Sequence, residues 1–273
     1  MMEEQNRLDK YQTLLQGLRS MPSALVAFSG GVDSTFLVFA VKESGIPYLA
    51  VTALSPTMPL RDREDVQRAI REMELRHRMI DSGEMGDANF VKNGPDRCYY
   101  CKSDLFARLT EIARQEGLSA VLDGTTLDDM GDYRPGLRAK DRFLVRSPLL
   151  DAELSKEEIR WLAREKGVQG WDKPASPCLS SRISYGEPIQ VESLRMVEAA
   201  ENRLRQMGFG TLRVRKQGET ARIELTEGEM GRLLEPALRQ RVTEALLQIG
   251  FRYISLDLEG FQSGKLNRVI VDS

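Results

Sequence analysis

The feature that most constrains this chain is the short glycine-rich stretch over residues 27–34, which reads AFSGGVDS. It follows the apolar run 25–28, which favours a β-strand, and it precedes residues 35–41, whose composition favours a buried helix. Paired glycines let the backbone bend tightly and turn several N–H groups toward one point. Because the positive end of a helix follows directly, the pattern predicts a loop that binds a phosphate group.

The loop also indicates which nucleotide chemistry is involved. Ser29 and Ser34 add hydroxyl groups to the glycine pair Gly30 and Gly31. The Gly-Lys-Ser/Thr ending of a Walker motif is missing, so the loop is not of the kinase type. The pattern is typical of enzymes that split ATP between its α and β phosphates and release pyrophosphate. The alternative is an ordinary strand-to-helix turn.

Strands and helices alternate through the first part of the chain. After the first strand, strand-like runs occur at residues 48–53, 78–80 and 120–123, with helical patterns between them. This alternation predicts an α/β fold with a doubly wound parallel sheet. Ligands of such sheets bind beyond the carboxyl ends of the strands. We therefore expect the segment 123–129, DGTTLDD, to face the same cleft as the glycine-rich loop.

The composition changes near residue 170. Residues 170–186 are rich in turn formers and predict a long loop, of the kind that carries function or links domains. Beyond it, a helix from Ile189, two strands around 211–225, another helix and a strand over 253–258 predict a smaller α+β domain. The predicted division is a first domain, a linker loop and a C-terminal domain, over residues 1–170, 171–188 and 189–273.

Size and charge exclude several classes of protein. A chain of 273 residues that is 41% hydrophobic can bury a core in each of two domains. No stretch is long and apolar enough to cross a membrane, and the first residues are acidic where a secretory signal would be basic. We therefore expect a cytoplasmic protein. A net charge of -2 argues against a protein whose main task is to coat nucleic acid.

The three cysteines are Cys98 and Cys101, in a Cys-x-x-Cys pair at the start of a predicted helix, and Cys178 in the long loop. The pair alone fits zinc, a redox disulfide or coincidence. His77, the one histidine, is expected at the surface, at the end of a charged helix, with no metal role. Three thiolates suit a [4Fe-4S] cluster with one open iron, provided that Cys178 folds back onto the pair. Three independent thiols are the alternative.

Four segments together resemble one known family. They are SGGVDS at 29–34, RCYYCK at 97–102, DGTTLDD at 123–129 and PCLSSRI at 177–183. This joint pattern resembles the LarE family of ATP-dependent sulfur transferases in nickel-pincer nucleotide biosynthesis, over nearly the whole chain. The first segment is shared by many ATP pyrophosphatases of the PP-loop superfamily, whose fold is similar to that of the adenine nucleotide alpha hydrolases. The two cysteine-bearing segments are the more specific.

The resemblance implies a reaction on pyridinium-3,5-biscarboxylic acid mononucleotide. ATP with Mg²⁺ would adenylate a pyridinium carboxylate and release pyrophosphate, and sulfur would then displace AMP to give a thiocarboxylate. Activation is needed because a carboxylate is a poor electrophile with a poor leaving group. The resemblance also implies a homo-oligomer, and it leaves the sulfur donor unidentified.

The resemblance further implies roles for residues of the first domain. Asp33 would position Mg²⁺ or its waters, and Lys102 would neutralise the departing pyrophosphate. Ser55 and Gly124, which follow the second and fourth strands, would lie near the adenosine. The phosphates of ATP would be held by Ser29, Gly30, Gly31, Asp33 and Ser34.

A second group of residues would bind the substrate. Arg213 and Arg215 alternate on a predicted strand, so both point to one face, where two guanidinium groups could grip the nucleotide phosphate. The alternative is a solvated arginine pair on an exposed face. Further positions resemble family residues near the substrate, namely Ser181, Arg182, Glu201 and Glu224.

The cysteines distinguish two subtypes of the family. Members that carry only the cysteine corresponding to Cys178 give up its sulfur once and are left with dehydroalanine. This chain departs from that subtype by adding Cys98 and Cys101, and it is similar to members whose thiolates hold a [4Fe-4S] cluster. In those, the open iron binds and delivers an extra sulfide, which permits repeated turnover. Sacrifice of Cys178 stays open as an alternative.

Three other functions fit part of the pattern. A tRNA thiolase of the same superfamily also combines such a loop with a three-cysteine cluster, but it must bind a polyanion. This mildly acidic chain lacks a dense Lys/Arg block. An amide-forming synthetase that makes NAD or GMP would use the loop but not the cysteines. A nucleotide-sensing module would bind ATP without releasing pyrophosphate.

Overall fold

The structure is a computed structural model, and its described residues are 2–131, 135–262 and 264–268. The helices and strands in chain order are α1 (Met2–Arg19), β1 (Ala24–Ala27), α2 (Val32–Ser44), β2 (Tyr48–Leu54), α3 (Leu60–Glu72), β3 (His77–Asp81), α4 (Ala88–Val91), α5 (Arg97–Gln115), β4 (Val121–Leu122), α6 (Gly136–Arg142), α7 (Pro148–Asp151), α8 (Lys156–Glu165), α9 (Val191–Gln206), β5 (Leu212–Gln217), β6 (Thr220–Leu225), α10 (Glu227–Leu233), α11 (Pro236–Ile249) and β7 (Tyr253–Leu256). No helix among these residues is both long and apolar enough to cross a membrane.

The chain divides into two compact units. The first consists of Met1–Glu84 and Cys98–Ser176, and the second of Met85–Arg97 and Pro177–Ser273. The short segment Met85–Arg97 thus belongs to the second unit, although it interrupts the first in sequence. The predicted domain boundaries stay a prediction, and the two units are described separately below.

The first unit confirms the α/β prediction. Its sheet has four parallel strands in the order β3-β2-β1-β4. Strand β1 is buried on both faces, as expected for a central strand of a parallel sheet. Ala24 and Val26 belong to a core cluster with residues of α1, α2 and α8. Leu25, on the opposite face, packs in a second cluster with Phe106 and Leu109 of α5, so helices cover both faces of the sheet.

The ends of the helices follow from local sequence. Helix α2 ends at Gly45, whose φ of 80° places it in the left-handed region that glycine adopts without strain. The sequence Ser155-Lys-Glu-Glu158 predicts a capping box, and helix α8 begins with it. The hydroxyl of Ser155 accepts from the backbone of Glu158, and the Glu158 carboxylate accepts from the backbone of Ser155.

The second unit contains a mixed three-stranded sheet in the order β5-β6-β7. Strands β5 and β6 form an antiparallel hairpin, and β7 runs parallel to β6. Helix α9 packs against β5 and buries Leu194, Val197 and Leu204. The predicted small α+β arrangement is confirmed in outline, with one correction. The single helix expected between β6 and β7 is two helices, because Pro236 lacks a backbone N–H and is tolerated only in the first turn of α11.

The prediction for His77 was also wrong. The charged helix α3 ends at Glu72, and the left-handed conformation of Glu74, with φ 49°, turns the chain into β3. His77 therefore begins a strand and is half-buried, and its Nε2 lies 2.8 Å from the hydroxyl of Thr52. Its ring meets Phe28 edge to face, and burial lowers the pKa of the imidazole.

Candidate functional site

The glycine-rich loop joins β1 to α2, and hydrogen bonds among its own residues hold its shape. The hydroxyl of Ser34 accepts from the backbone N–H of Ser29 at 3.2 Å and donates to the carbonyl oxygen of Gly31 at 3.1 Å. Gly31 stands at the N-cap of α2 and has no side chain to cap the first turn. The first N–H groups of this helix therefore need another acceptor, and a phosphate oxygen meets that need.

Residues after β4 pack directly against this loop. A Cβ atom built on Gly124 would lie 3.1 Å from the backbone nitrogen of Ser34, so any larger residue would have to push the loop away by a few tenths of an ångström. The neighbouring Asp123 is buried and accepts from Thr125 and Ser147. Gly124 and the glycine-rich loop therefore share the carboxyl edge of the sheet, as the sequence predicts for a nucleotide cleft.

Gly30 is the most constrained glycine of the loop. Its φ is 74°, and a Cβ atom would lie 2.6 Å from Cγ2 of Val66 on α3. Gly45 has a similar φ of 80° but nothing within 4 Å of the equivalent position. The two glycines therefore separate the cost of the backbone conformation from the cost of a clash.

We expect Gly30→Ala to lower ATP affinity at least tenfold and Gly45→Ala to leave it unchanged. Both substitutions incur a left-handed backbone cost of about 1–2 kcal/mol, but only the first displaces α3 or the glycine-rich loop. Isothermal titration with ATP, together with urea unfolding of both variants, measures the two effects. Equal ATP affinities in the two variants would show that the conformation of Gly30 is not needed for nucleotide binding.

Asp33 lies in the first turn of α2 in an unusual electrostatic setting. Burial is the main reason that its pKa is raised from 3.8 to about 6, and the carboxylate of Asp129 adds to the shift. The ammonium of Lys156 acts in the opposite direction and lowers the pKa. Lys156 is itself ion-paired to Asp129 at 2.7 Å. A dication or a further ammonium group near Asp33 would therefore be attracted, because the carboxylate is poorly solvated.

We expect Asp33→Asn to raise the free energy of unfolding of the ligand-free chain at pH 8 by about 1–3 kcal/mol. The folded carboxyl has the higher pKa, so its ionisation opposes folding above about pH 6 and has no effect below its unfolded pKa of 3.8. The stability advantage of the variant should therefore shrink as the pH falls from 6 to 4. Urea unfolding of both proteins at pH 8 and pH 4.5 checks this, and an advantage that grows on acidification would contradict it.

Ser55 and Lys102 occupy different surroundings in the first unit. Ser55 is buried just after β2, where its hydroxyl bonds to Thr57 at 2.7 Å and donates to the carboxylate of Glu84. Lys102 is exposed on α5, and its ammonium lies 5.4 Å from the centroid of the Phe106 ring. Neither contact is to the glycine-rich loop itself.

Two lysines that the sequence analysis did not single out lie closer to that loop. Lys173 places its Nζ 3.4 Å from the carbonyl oxygen of Gly30 and is ion-paired to Asp65. Lys156 acts on Asp33 as described above. One sequence signal was available for Lys156, because it directly follows Ser155, the N-cap residue of α8. The chemistry of neither position could be read without the fold.

The Cys-x-x-Cys pair lies in the first turns of α5, which begins at Arg97. Cys98 is exposed and Cys101 is half-buried. Residues three apart on a helix share a face, with Cβ atoms about 5–6 Å apart. The two thiols are therefore close enough together to be two ligands of one metal group.

Cys178 is exposed in the second unit, and the backbone around it is held by an arginine. It caps a single 3₁₀ turn over Leu179–Arg182. The buried guanidinium of Arg182 donates to the carbonyl oxygens of Pro177 and Cys178, the latter at 3.0 Å. Ser181 also donates to the carbonyl oxygen of Cys178, at 2.8 Å. These hydrogen bonds therefore fix the conformation of the turn that carries the thiol.

A buried network of ion pairs supports this turn. Arg182 binds Glu201 of α9 through two bonds of 2.9 and 3.2 Å, and Arg215 of β5 binds Glu224 of β6 at 3.0 and 2.9 Å. Arg215 also donates to the carbonyl oxygen of Ser181. Burial would raise the pKa of Glu201, but the charge and hydrogen bonds of Arg182, with further arginines nearby, lower it to about 2. The Glu201 carboxylate is therefore ionised throughout the neutral range.

Arg213 completes the group of predicted substrate-binding residues. It lies directly opposite Glu224 in the hairpin register, and its guanidinium stacks over Phe261 at 5.1 Å. Arg213 and Arg215 are both buried, so the alternative of a solvated arginine pair does not hold. The structure brings the predicted residues together in the second unit, namely Ser181, Arg182, Glu201, Arg213, Arg215 and Glu224.

No group of three or more His, Cys, Asp or Glu side chains is arranged to hold a metal ion within the described part of the chain. The parallel sheet, the glycine-rich loop at its carboxyl edge and Gly124 packed against that loop define an α/β protein of the PP-loop class. Comparison with known proteins specifies the class further.

An uncharacterized protein of Synechocystis is 40% identical over 262 residues, which cover 96% of this chain and 98% of the relative. The pyridinium-3,5-bisthiocarboxylic acid mononucleotide synthase of Lactiplantibacillus plantarum is 39% identical over 261 residues, 94% of each protein. The chain therefore belongs to the LarE family of sulfur transferases. No protein-family model matches it. The glutamine-hydrolyzing GMP synthase of Thermus thermophilus is 28% identical over 105 residues, only 38% of this chain.

Proposed function

We propose that this chain adenylates the carboxylates of pyridinium-3,5-biscarboxylic acid mononucleotide and replaces AMP with sulfide delivered from a [4Fe-4S] cluster that Cys98, Cys101 and Cys178 would hold. The observation that carries the proposal is the presentation of Cys178, an exposed thiol on a turn fixed by the buried Arg182. The bisthiocarboxylic acid mononucleotide synthase from Lactiplantibacillus, which is similar over 94% of the chain, supports a thiocarboxylated mononucleotide as the product. The proposal includes a cytoplasmic location and a homo-oligomer, and the sulfur donor is not identified.

In the first unit, the glycine-rich loop would hold the phosphates of ATP. Ser29 and the N–H groups that begin α2 would bind the phosphate oxygens, and Gly124 leaves room for the close approach of the chain. Asp33 has a carboxylate that burial makes costly to ionise, so it would gain from holding Mg²⁺ or its waters. Lys102, Lys156 and Lys173 are candidates to neutralise pyrophosphate as it leaves.

In the second unit, the arginine network would both shape the Cys178 turn and attract an anionic nucleotide. Glu201 and Glu224 are ion-paired to Arg182, Arg205, Arg215 and Arg222, and the charge of Arg213 also acts on Glu201. Arg222 pairs with Asp257 as well, so these five arginines outnumber the three carboxylates. The surplus positive charge suits a phosphate group and a carboxylate. Arg213 donates to the carbonyl oxygen of Leu212 at 2.9 Å and lies over the ring of Phe261.

The residues present fit a [4Fe-4S] cluster in their donor chemistry. Cys98 and Cys101 stand one turn apart on α5, and both have solvent-accessible surface, as does Cys178. Three thiolates would leave one iron open, which supplies an exchangeable site for sulfide when the cluster is bound. Sacrifice of the sulfur of Cys178 is the second candidate, and the exposure of that thiol is equally compatible with it.

Substrate-dependent release of AMP and pyrophosphate tests the proposal against its rivals. The purified chain would be given ATP, Mg²⁺ and either the pyridinium biscarboxylate mononucleotide or bulk tRNA. We expect AMP and pyrophosphate only with the mononucleotide. Release that requires tRNA instead would identify a tRNA thiolase, and ATP binding without any pyrophosphate would leave only a nucleotide-sensing role.

A further inference from the structure

The segment Met85–Arg97 is a strap that packs within the second unit. Phe90 is buried there, and the carbonyl oxygen of Val91 accepts from the backbone of Ile189 at 2.9 Å. The carbonyl oxygen of Asn93 likewise accepts from Gly186 at 3.1 Å. The strap is therefore tied by its backbone to the chain that leaves the Cys178 turn.

Asn93 holds this junction through its side chain. It is fully buried and adopts a left-handed conformation with φ 56°, which asparagine tolerates better than most residues. Its Nδ2 donates to the carbonyl oxygens of Ser184 and Glu187 at 2.8 and 2.9 Å. Its Oδ1 accepts from Nη1 of Arg97 at 2.6 Å. Both ends of the carboxamide are thus used, and the loss of either leaves buried partners unsatisfied.

Arg97 extends the same junction. It is only 4% exposed, and its guanidinium stacks on the ring of Tyr185 at 4.5 Å from the centroid. The hydroxyl of Tyr185 donates to Oδ1 of Asn267 at 3.1 Å. We call Asn93, Arg97 and Tyr185 the latch. Burying the charge of Arg97 costs free energy unless its partners are in place. The positions of Asn93 and Tyr185 around the guanidinium are therefore restricted.

The latch lies close to two of the cysteines along the chain. Arg97 directly precedes Cys98 in the sequence. The latch also binds the chain just after the Leu179–Arg182 turn, whose N-cap residue is Cys178. We propose that Asn93 and Arg97 are positioning residues, which fix the residue that directly precedes Cys98 to the chain that leaves the Cys178 turn. In its link to cluster binding, this inference rests on the proposed function.

Thiol cross-linking tests the latch without any cluster. In metal-free Cys101→Ser protein, a bis-maleimide would join Cys98 to Cys178, and mass spectrometry would follow the rate. We expect Asn93→Gly, which keeps the left-handed backbone but removes the carboxamide, to slow cross-linking roughly tenfold, as a loss of about 1.4 kcal/mol implies. Asn89→Ala, an exposed position in the same strap, is the matched control and should not change the rate. An unchanged rate in Asn93→Gly, or no cross-link in the Cys101→Ser background, would overturn the inference.

Two further measurements separate this inference from the proposed function. Urea unfolding shows whether Asn93→Gly folds, and if it does not, Arg97→Lys, which keeps the charge but loses the fork, takes its place with the same expectation. Iron content after anaerobic reconstitution of the three-cysteine chain should fall in the latch variant while ATP binding is retained. Iron-free wild-type protein with slowed cross-linking in the variant would reject the cluster and keep the latch. Full iron in both proteins with equal cross-linking would reject the latch and keep the cluster.

Discussion

Cys178→Ser protein is expected to lose thiocarboxylate formation by a factor on the order of 10³ or more, the scale seen when a covalent catalytic group is removed. A serine hydroxyl can neither donate sulfur nor hold iron as a thiolate does, whichever sulfur route operates. Adenylation should survive, because Ser29, Asp33 and Gly124 belong to the first unit and Cys178 to the second. Product would be measured by mass spectrometry, and adenylation by exchange of labelled pyrophosphate into ATP.

Cys98→Ser is the matched comparison for this variant. If the three cysteines hold a cluster, Cys98→Ser should lose repeated turnover, as Cys178→Ser does. If Cys178 gives up its own sulfur, Cys98→Ser should still make up to one product per chain. Thiocarboxylate formed at the wild-type rate by Cys178→Ser would remove Cys178 from the sulfur route altogether.

Arg182→Leu is expected to lower the free energy of unfolding of the second unit by about 3–5 kcal/mol. The substitution leaves Glu201 as an unpaired buried carboxylate and deletes the donors to the carbonyl oxygens of Pro177 and Cys178. Both side chains of the pair are almost inaccessible, at 0% and 3% exposure, so water cannot compensate. Urea unfolding followed by circular dichroism measures the loss.

Arg205→Leu provides the control for that loss. Arg205 binds the same carboxylate at 2.8 Å, but its side chain is 24% exposed and Arg182 remains in place. We expect a cost of at most about 1 kcal/mol. Equal losses in the two variants would show that the Arg182 pair is not the support of the Cys178 turn. Arg182→Lys should recover only part of the stability, because one ammonium cannot replace the fork.

Local patterns in the sequence were sufficient for the glycine-rich loop and for the start of α8. Two glycines between an apolar strand and an apolar helix define the glycine-rich loop, and Ser155 with Glu158 defines the start of α8. These features depend on neighbours within a few residues. His77 was misplaced because the charged pattern of α3 continues past its true end, and only pairing with β2 decides that the chain there is a strand.

The site in the second unit depended on pairing that the sequence does not encode locally. Alternation on β5 indicates that Arg213 and Arg215 share a face, but their partner Glu224 is fixed by the register of the hairpin. The role of Asn93 was missed for the same reason, since its carbonyl partners lie about 90 positions further along the chain. An asparagine followed by glycine offers only a weak signal of a left-handed residue.

Counting the product made per chain tests the central claim most directly. Cluster-reconstituted protein would react anaerobically with ATP, Mg²⁺, sulfide and the pyridinium biscarboxylate mononucleotide, and mass spectrometry would measure both product and protein. The account predicts more than one thiocarboxylate per chain and an unchanged protein mass. Product capped at one per chain, with protein lighter by one H₂S, would contradict cluster-based turnover and show that Cys178 is consumed.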